Sequence, residues 1–256
     1  MNVRVPEPSA LPWYRKFFSD DYFVACERLL ESFDSEREIA GVVKLLNLKP
    51  GERVLDLCCG PGRHAIELGI RGMKVTGLDL NPAYLAAARD EAARRGVVLT
   101  TVEADMRAIP PLPEFDAVIN MFTSFGYLES EEEDARVLAS VAQRLRAGGR
   151  LLLDGLNREW VMTNQIEREW FPQPDGSVLL EERTLNLRTS RNRVAFTRIA
   201  DGKRHELGAI DVRLYTLTET ENMLRRSGLT LRRVYGALDG TDYAISTRRM
   251  IVVAEK

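Results

Sequence analysis

The sequence predicts an α/β protein with a doubly wound, mainly parallel sheet of seven strands and a small inserted antiparallel β subdomain. Two observations predict this fold class. Between residues 49 and 156, short apolar segments alternate with amphipathic segments of helical period, which is the pattern of strand–loop–helix units with parallel strands. After Leu156 the hydrophobic period shortens to two, as in half-buried antiparallel strands.

The individual elements follow from local signals. Five apolar segments bounded by turn residues are predicted as strands: Arg53 to Leu57, Lys74 to Leu80, Val98 to Glu103, Phe115 to Asn120 and Arg150 to Leu156. Asn81 and Pro82 suit the N-cap and first position of a helix. Three pairs have the spacing of a capping box and are expected to open helices: Ser35–Glu38, Ser130–Glu133 and Thr218–Glu221.

The second half of the chain predicts an insertion followed by the end of the main sheet. Asp201-Gly202 between two alternating segments is a two-residue hairpin signal. Strands near Leu231 to Tyr235 and Met250 to Ala254 are expected to pair antiparallel. The predicted division is an N-terminal helical segment over the site, a cofactor-binding core, a β insertion and a final helix with two strands, at 1–48, 49–164, 165–216 and 217–256.

Composition and charge exclude several classes of function. The 36 basic and 38 acidic side chains give a net charge of −2, too little to attract a nucleic acid by counterion release. Three cysteines with an adjacent pair, Cys26, Cys58 and Cys59, form neither a disulfide framework nor a zinc motif. Three prolines and no apolar stretch in 1–13, with no membrane-spanning run elsewhere, predict a cytoplasmic protein that is neither secreted nor embedded.

Acidic residues follow three successive strands at the sheet edge where α/β proteins bind ligands. The first loop reads Asp56-Leu57-Cys58-Cys59-Gly60-Pro61-Gly62, and its glycines allow a ligand to approach the backbone. Asp79 ends the second strand and is suited to accept both hydroxyls of a ribose. Asp105, just past the third strand, could meet an adenine amino group beside Met106. Together these positions predict a nucleoside-containing ligand.

At these motifs the sequence resembles the class I S-adenosylmethionine-dependent methyltransferases, through residues 54–62, 75–82, 104–106, 115–120 and 145–150. The resemblance implies a Rossmann-like methyltransferase fold and S-adenosylmethionine as cofactor. It assigns twelve residues to the cofactor: Tyr22, Asp56, Cys58, Gly60, Gly62, Asp79, Leu80, Asp105, Met106, Asn120, Met121 and Phe122. Cys58 stands where the family motif usually has its first glycine, and we expect it to fit with a negative φ.

A narrower likeness concerns residues 121–128 together with the β insertion, which resemble the branch that includes amino-sugar N-methyltransferases. It implies methyl transfer to a nitrogen or oxygen of a small molecule. Some of those relatives carry histidine where this chain has Tyr127, which we assign to catalysis. The residues expected at the acceptor are Trp13, Tyr14, Tyr127, Arg158, Trp160, Asp242 and Tyr243. No Asn-Pro-Pro-Tyr or Asp-Pro-Pro-Tyr follows the fourth strand, which argues against methylation of bases or glutamine amides.

Two other functions remain open from the sequence. A nicotinamide-dependent oxidoreductase would use the Gly60-Pro61-Gly62 loop with Asp79 on a ribose. A noncatalytic S-adenosylmethionine-binding module would keep the fold without the reaction. His64 and His205 are interpreted as structural or merely adjacent to the site, and the acidic run 129–134 as a solvated helix start that complements the helix dipole. We expect no metal, and a monomer or homodimer.

Overall fold

The structure is a computed structural model that describes residues 12–18 and 34–256. The predictions for Tyr22 and Cys26 lie outside these residues. The helices described, in chain order, are α1 (Trp13–Phe17), α2 (Ser35–Leu46), α3 (Arg63–Ile70), α4 (Pro82–Arg94), α5 (Glu131–Arg144), α6 (Arg158–Asn164) and α7 (Leu217–Arg226). A short 3-10 helix spans Met106–Ala108.

The strands form two separate sheets. The main sheet contains β1 (Arg53–Leu57), β2 (Lys74–Asp79), β3 (Leu99–Glu103), β4 (Phe115–Asn120), β5 (Leu145–Leu156), β10 (Thr230–Tyr235) and β11 (Arg249–Glu255). The second sheet contains β6 (Arg168–Pro172), β7 (Val178–Asn186), β8 (Arg191–Ala200) and β9 (Lys203–Arg213) in that order, with every pair antiparallel. The predicted fold class is therefore confirmed.

The order of the main sheet creates the crevice that the site uses. Its strands run β10-β11-β5-β4-β1-β2-β3, and the antiparallel pairs are β10 with β11 and β11 with β5. The chain starts at β1, extends to β3 on one side, and then crosses to β4 on the other side. In open α/β sheets the ligand crevice lies at such a reversal, beyond the carboxyl ends of the strands. The loops after β1 and β4 border that point.

Two helix starts differ from the capping-box predictions. Asp34, rather than Ser35, caps α2, and its side chain accepts from the Arg37 N–H at 2.9 Å. Thr216 caps α7 in a complete capping box with Glu219, so the prediction of Thr218 with Glu221 was wrong by two residues. The sequence contains two overlapping Thr-x-x-Glu patterns, at 216–219 and 218–221, and both have the spacing of a capping box. The helix begins at Leu217, and the last residue before it takes the cap.

The second sheet supports α1 against the main domain. Its β8–β9 turn has Asp201 and Gly202 at φ of 52° and 69°, which confirms the predicted hairpin because a type I′ turn needs positive φ at both positions. The ring centroids of Phe196 on β8 and Phe17 on α1 lie 5.5 Å apart. At the same end of the helix, the Asn81 side chain donates to the carbonyl of the next residue, Phe18, at 2.7 Å. The insertion and the residue before α4 thus both hold the C-terminal end of α1.

The first turn of α5 is only partly the solvated surface that was expected. Asp134 is fully buried, and Tyr215 Oη donates to its Oδ2 at 2.7 Å. Its other oxygen, Oδ1, has no hydrogen-bond partner. Glu131 and Glu133 form ion pairs with arginines instead of facing solvent alone. The Tyr215 phenol explains the burial of Asp134, because a buried acid needs a donor.

The burial of Asp134 predicts a pH-dependent cost to stability. Burial raises the pKa of Asp134 to about 6, although the Tyr215 hydroxyl opposes it. The pKa in the folded state lies above the unfolded value of about 3.9. Protonated Asp134 therefore makes its full contribution to the free energy of unfolding below about pH 4, and this contribution is lost as the pH rises through about 6. Asp134→Asn removes the titration. Its free energy of unfolding relative to wild type should therefore rise by about 3 kcal/mol between pH 4 and pH 7.

Urea unfolding of both proteins across this range measures the difference. Asp242→Asn, which changes an exposed carboxylate, controls for the change of net charge. An offset between Asp134→Asn and wild type that is the same at pH 4 and pH 7 would contradict the interpretation.

Within residues 12–18 and 34–256, no helix is both long and apolar enough to cross a bilayer.

Candidate cofactor and acceptor site

A cavity of about 390 Å³ lies at the reversal point of the main sheet. Its wall is formed by α1, the start of α3, and the segments that follow β1, β2, β3 and β4. Eight of the residues predicted to bind the cofactor line it: Cys58, Gly60, Asp79, Leu80, Asp105, Met106, Met121 and Phe122. Volume and position suit an enclosed small-molecule site.

The loop between β1 and α3 is strained where the sequence departs from glycine. Cys58 has a φ of +63°, so the expected negative φ was wrong. A non-glycine residue in this region costs about 1–3 kcal/mol and persists only when its surroundings hold it there. Here the Cys58 thiol lies 3.5 Å from Met106 Sδ. Gly62, at φ +84°, cannot be replaced by a residue with a side chain in the same way, because a Cβ there would lie 2.8 Å from the Cβ of Ala88.

Asp79 connects two of the loops that form the cavity. Its Oδ2 accepts from the Gly60 N–H at 2.8 Å, and its Oδ1 accepts from the Asn81 N–H at 2.9 Å. Burial raises the pKa of Asp79, and these backbone hydrogen bonds work against the rise. Each carboxylate oxygen keeps a second acceptor site. Asp79 can therefore hold the loops and still accept two hydroxyls from the cavity.

Asp105 has a structural partner that the sequence did not reveal. Its Oδ1 accepts from the Arg107 N–H at 2.9 Å, and Arg107 Nη2 donates to Oδ2 at 2.6 Å. Burial favours a higher pKa for Asp105, but the hydrogen bonds from Arg107 outweigh it and the pKa falls. Arg107 also contacts Glu133 at 2.5 Å. Asp105 is thus a fixed carboxylate on the cavity wall, and its contact with an adenine stays a prediction.

Asp56 and Asn120, which the sequence analysis assigns to the cofactor, lie behind the cavity wall, and their contact with the cofactor stays a prediction. Each is only 1% exposed, and neither lines the cavity. Asn120 Nδ2 donates to the Leu57 carbonyl at 2.9 Å, and Asp56 accepts from the Ala65 N–H. Burial raises the pKa of Asp56 to about 6, although the nearby His64 and Arg63 oppose the rise. Both side chains brace the β1 loop from beneath.

The turn after β4 is held by a residue that the sequence analysis missed. Phe122 and Thr123 have φ of 58° and 61°, and Asp154 at the end of β5 binds both. Its Oδ2 accepts from the Phe122 N–H at 2.9 Å, while its carbonyl accepts from the Thr123 N–H at 2.8 Å. Arg249 on β11 neutralises this buried carboxylate. An acid within an otherwise apolar strand was the available signal.

Aromatic side chains close the cavity on the side of α1. Tyr14, Phe18 and Tyr127 line it, and the Tyr127 ring stacks on Phe18 with centroids 5.6 Å apart. Trp13 lies outside the cavity wall and packs edge-on against Tyr127 at 5.0 Å. Burial raises the pKa of Tyr127 well above its ordinary value of about 10, so this phenol is a poor base.

The other four residues expected at the acceptor lie elsewhere. None of them lines the cavity: Arg158, Trp160, Asp242 and Tyr243. Tyr243 Oη donates to Asn157 Oδ1 and lies within 3.2 Å of Glu159 Oε2, and Asp242 is exposed. These contacts organise the segment between β10 and β11. The sequence placed these residues at the correct edge of the sheet, but it could not show that they follow β5 and β10, whereas the cavity is lined by the segments after β1 to β4.

The donor set and the shape of the wall fit S-adenosylmethionine. A Cβ built on Gly60 would meet no atom of the described residues within 4 Å, its chain neighbours aside, so the cavity reaches the backbone at this position. Asp79 supplies acceptors for ribose hydroxyls, and Leu80 and Met106 supply apolar surface beside it. Among the residues that the structure describes, no group of three or more His, Cys, Asp or Glu side chains is arranged to hold a metal.

Comparisons with known proteins agree with this site. The family model described as a methyltransferase domain matches residues 54–149. A glycine/sarcosine N-methyltransferase of Aphanothece halophytica is 34% identical over 122 residues, and the match spans 47% of this chain and only 46% of that protein. The dTDP-3-amino-3,4,6-trideoxy-alpha-D-glucopyranose N,N-dimethyltransferase of Streptomyces venezuelae is 28% identical over 227 residues, which are 81% of this chain and 88% of that protein.

The solved structures extend the likeness to the whole fold. An S-adenosylmethionine-dependent methyltransferase from Clostridium acetobutylicum superposes with a TM-score of 0.77 over 94% of this chain and 98% of that one, at 17% identity. Neither of the other two functions left open by the sequence is favoured by these matches. Residues 54–149 thus match the methyltransferase-domain family, the chain has the fold of S-adenosylmethionine-dependent methyltransferases, and its similarity extends to an amino-sugar N,N-dimethyltransferase.

Proposed function

We propose that this protein transfers a methyl group from S-adenosylmethionine to the amino nitrogen of a small, partly apolar acceptor. The observation that carries the proposal is that the cavity at the reversal point of the main sheet combines two kinds of surface. Asp79, Gly60 and Met106 form a polar and apolar surface suited to the nucleoside. Phe18 and Tyr127 add to the same cavity an aromatic surface suited to an acceptor. The acceptor would bind between α1 and the turn after β4.

The cofactor supplies a methyl group on a sulfonium, whose sulfur is a good leaving group. The protein's contribution is therefore to hold nucleophile and methyl close and in line, and to exclude water. Tyr127 and Phe18 provide a rigid aromatic surface for this purpose, since Trp13 packs behind Tyr127 and Asn81 holds the end of α1. Tyr127, which we assigned to catalysis from the sequence, then orients the acceptor.

A nitrogen acceptor needs a weaker base than a hydroxyl does. A hydroxyl must lose its proton to a strong base as it attacks, and neither an imidazole nor buried Tyr127, whose pKa is raised, is a strong base for an alcohol. An amine attacks through a lone pair that it already has when it is unprotonated. The glycine/sarcosine and amino-sugar relatives described above both carry names of N-methyltransferases, which supports the same choice.

The test is a screen of primary and secondary amines with the purified full chain and S-adenosylmethionine. We expect S-adenosylhomocysteine release together with a product heavier by one CH₂ group. Thermal-shift measurements with S-adenosylmethionine, S-adenosylhomocysteine and NAD accompany it, because a ligand at 100 times its Kd stabilises by about 2.7 kcal/mol. Stabilisation by NAD alone would indicate an oxidoreductase. Stabilisation by S-adenosylmethionine without turnover of amines, alcohols or thiols would indicate a binding module.

A further inference from the structure

His64 is the feature of the cavity that the mechanism above does not use. It lies in the first turn of α3, is only 5% exposed, and lines the cavity. Arg63 beside it places its guanidinium 5.0 Å from the Phe122 ring centroid. Because Phe122 belongs to the turn after β4, the start of α3 borders the side of the cavity where we place the acceptor.

The two ring nitrogens of His64 have different surroundings. Nε2 lies 2.9 Å from Glu38 Oε2 on α2. Burial works to raise the pKa of Glu38, but hydrogen bonds from His64 and Arg63 and the charge of Arg63 outweigh it, and the pKa falls to about 2. Glu38 is therefore ionised at every working pH and can only accept. Consequently Nε2 is the nitrogen that carries the proton, and the lone pair of the neutral ring resides on Nδ1.

Among the residues that the structure describes, Nδ1 has no hydrogen-bond partner, and the ring belongs to a residue that lines the cavity. Nδ1 is therefore the ring nitrogen that Glu38 leaves available to a ligand in the cavity. A histidine whose outer nitrogen is fixed by a carboxylate and whose inner nitrogen is open has the arrangement of a general base.

The other titratable groups on the wall are less suited to accept a proton. Tyr14 and Tyr127 have raised pKa values because of burial, as does the Cys58 thiol. Asp105 is engaged by Arg107, and Asp79 is engaged by two backbone N–H groups. The remaining acceptor sites of Asp79 face the predicted ribose, so among these groups the His64 ring is the one with a fixed orientation and a lone pair that is not already assigned to the cofactor.

We propose that His64 Nδ1 accepts the proton that the amine acceptor loses during methylation, with Glu38 as its positioning residue. The proposal rests on the proposed amine methylation. The amine lone pair forms the new N–C bond while the S–C bond breaks and its electrons remain on sulfur. The N–H bond then breaks, its electrons stay on nitrogen, and the proton moves to Nδ1 and from there to water. An amine that binds as ammonium would give up one proton to the same atom before attack.

The charges around His64 set the conditions for this role. Glu38 faces the ring from α2, Arg63 precedes it on α3, and Asp56 lies close behind it at the end of β1. Glu38 also binds Arg63, so its carboxylate is oriented by two donors. Removing Glu38 should therefore free both the tautomer and the orientation of the ring.

The first experiment is nitrogen-15 NMR of the full chain with and without S-adenosylhomocysteine. The chain has only two histidines, so His205→Gln, at an exposed position on β9, assigns the spectrum and serves as the control. In the neutral ring of His64 we expect a protonated Nε2 and an unprotonated Nδ1, and methylammonium chloride as a probe should shift the Nδ1 signal in the presence of S-adenosylhomocysteine. Glu38→Ala should give a mixture of tautomers. A proton fixed on Nδ1 in the neutral wild-type ring, or no response of Nδ1 to the amine probe, would overturn the proposal.

The second experiment measures the pH profile of kcat/KM for an amine that is turned over. We expect His64→Gln to lower kcat/KM by about 100-fold and to remove the acidic limb of the profile that a general base produces. His205→Gln should keep the wild-type profile. The Kd for S-adenosylhomocysteine should stay within about threefold in His64→Gln.

The outcomes separate the role of His64 from the function itself. A weaker cofactor affinity with an unchanged pH profile would make His64 a cofactor-binding residue and refute its role as base. Loss of the limb in Tyr127→Phe, with the limb kept in His64→Gln, would transfer the role to Tyr127. The NMR result does not need turnover, so absence of amine methylation would refute the proposed function while leaving the geometry of His64 independently measured.

Discussion

Asp79→Ala is expected to reduce the affinity for S-adenosylhomocysteine by about 100-fold or more. The carboxylate has two roles at once, since it accepts from Gly60 and Asn81 and faces the predicted ribose. Hydrogen bonds to a charged group contribute about 1.5–3 kcal/mol each, so losing two acceptor contacts to the ligand is enough for this change. The loops freed by the same substitution add to the loss.

Titration calorimetry of the wild type and variants checks this prediction. Asp116→Ala is the matched control, because Asp116 also accepts a backbone N–H, from Arg53 at 2.8 Å, but at the opposite edge of the sheet. It should leave the affinity unchanged. Asp79→Asn should bind weakly too, because one carboxylate oxygen becomes an NH₂ group that faces a donor. An affinity for Asp79→Ala within about threefold of wild type would remove Asp79 from the site.

The fold was predictable because its signals are local and repeated. Each parallel strand is a short apolar run between turn residues, and β4 shows why this works, since Phe115, Val118 and Ile119 are almost fully buried. The hairpin at Asp201-Gly202 was equally local. The helix starts at Asp34 and Thr216 were missed because neighbouring polar residues offered alternative caps of similar quality. Tertiary packing decided between those alternatives.

The site was predictable only where a residue follows its strand directly. Cys58, Gly60, Asp79, Asp105 and Phe122 were placed by that rule, and all of them line the cavity. Residues that reach the site from another helix or strand could not be predicted in this way. Glu38 reaches His64 across 26 positions, and Asp154 reaches Phe122 across 32. Such pairs have no period or spacing in the sequence, because the packing of α2 on α3 and of β5 beside β4 creates them.

Asp154→Ala is expected to lower the free energy of unfolding by about 3–5 kcal/mol, since it breaks a buried ion pair and leaves Arg249 without its carboxylate. It should also weaken binding in the cavity, because the Phe122 N–H loses its acceptor and the turn after β4 loses the contact that keeps it left-handed. Urea unfolding and calorimetry with S-adenosylhomocysteine measure the two effects. Arg249→Met is the matched control, since it breaks the same ion pair while leaving the bond to Phe122.

Thr123→Gly shows whether Asp154 really maintains strain in this turn. Thr123 has a φ of +61°, where a residue with a Cβ costs about 1–2 kcal/mol, so glycine should stabilise the wild type by about that amount. In the Asp154→Ala background the gain should be smaller, because a turn that is no longer held can relax to negative φ. A double-mutant cycle reports this coupling directly. Equal effects of Thr123→Gly in both backgrounds would mean that the backbone bond from the Thr123 N–H to the Asp154 carbonyl fixes the turn without the carboxylate. Asp154 would then contribute to stability alone, and the shape of the acceptor side would depend on the main chain of β5.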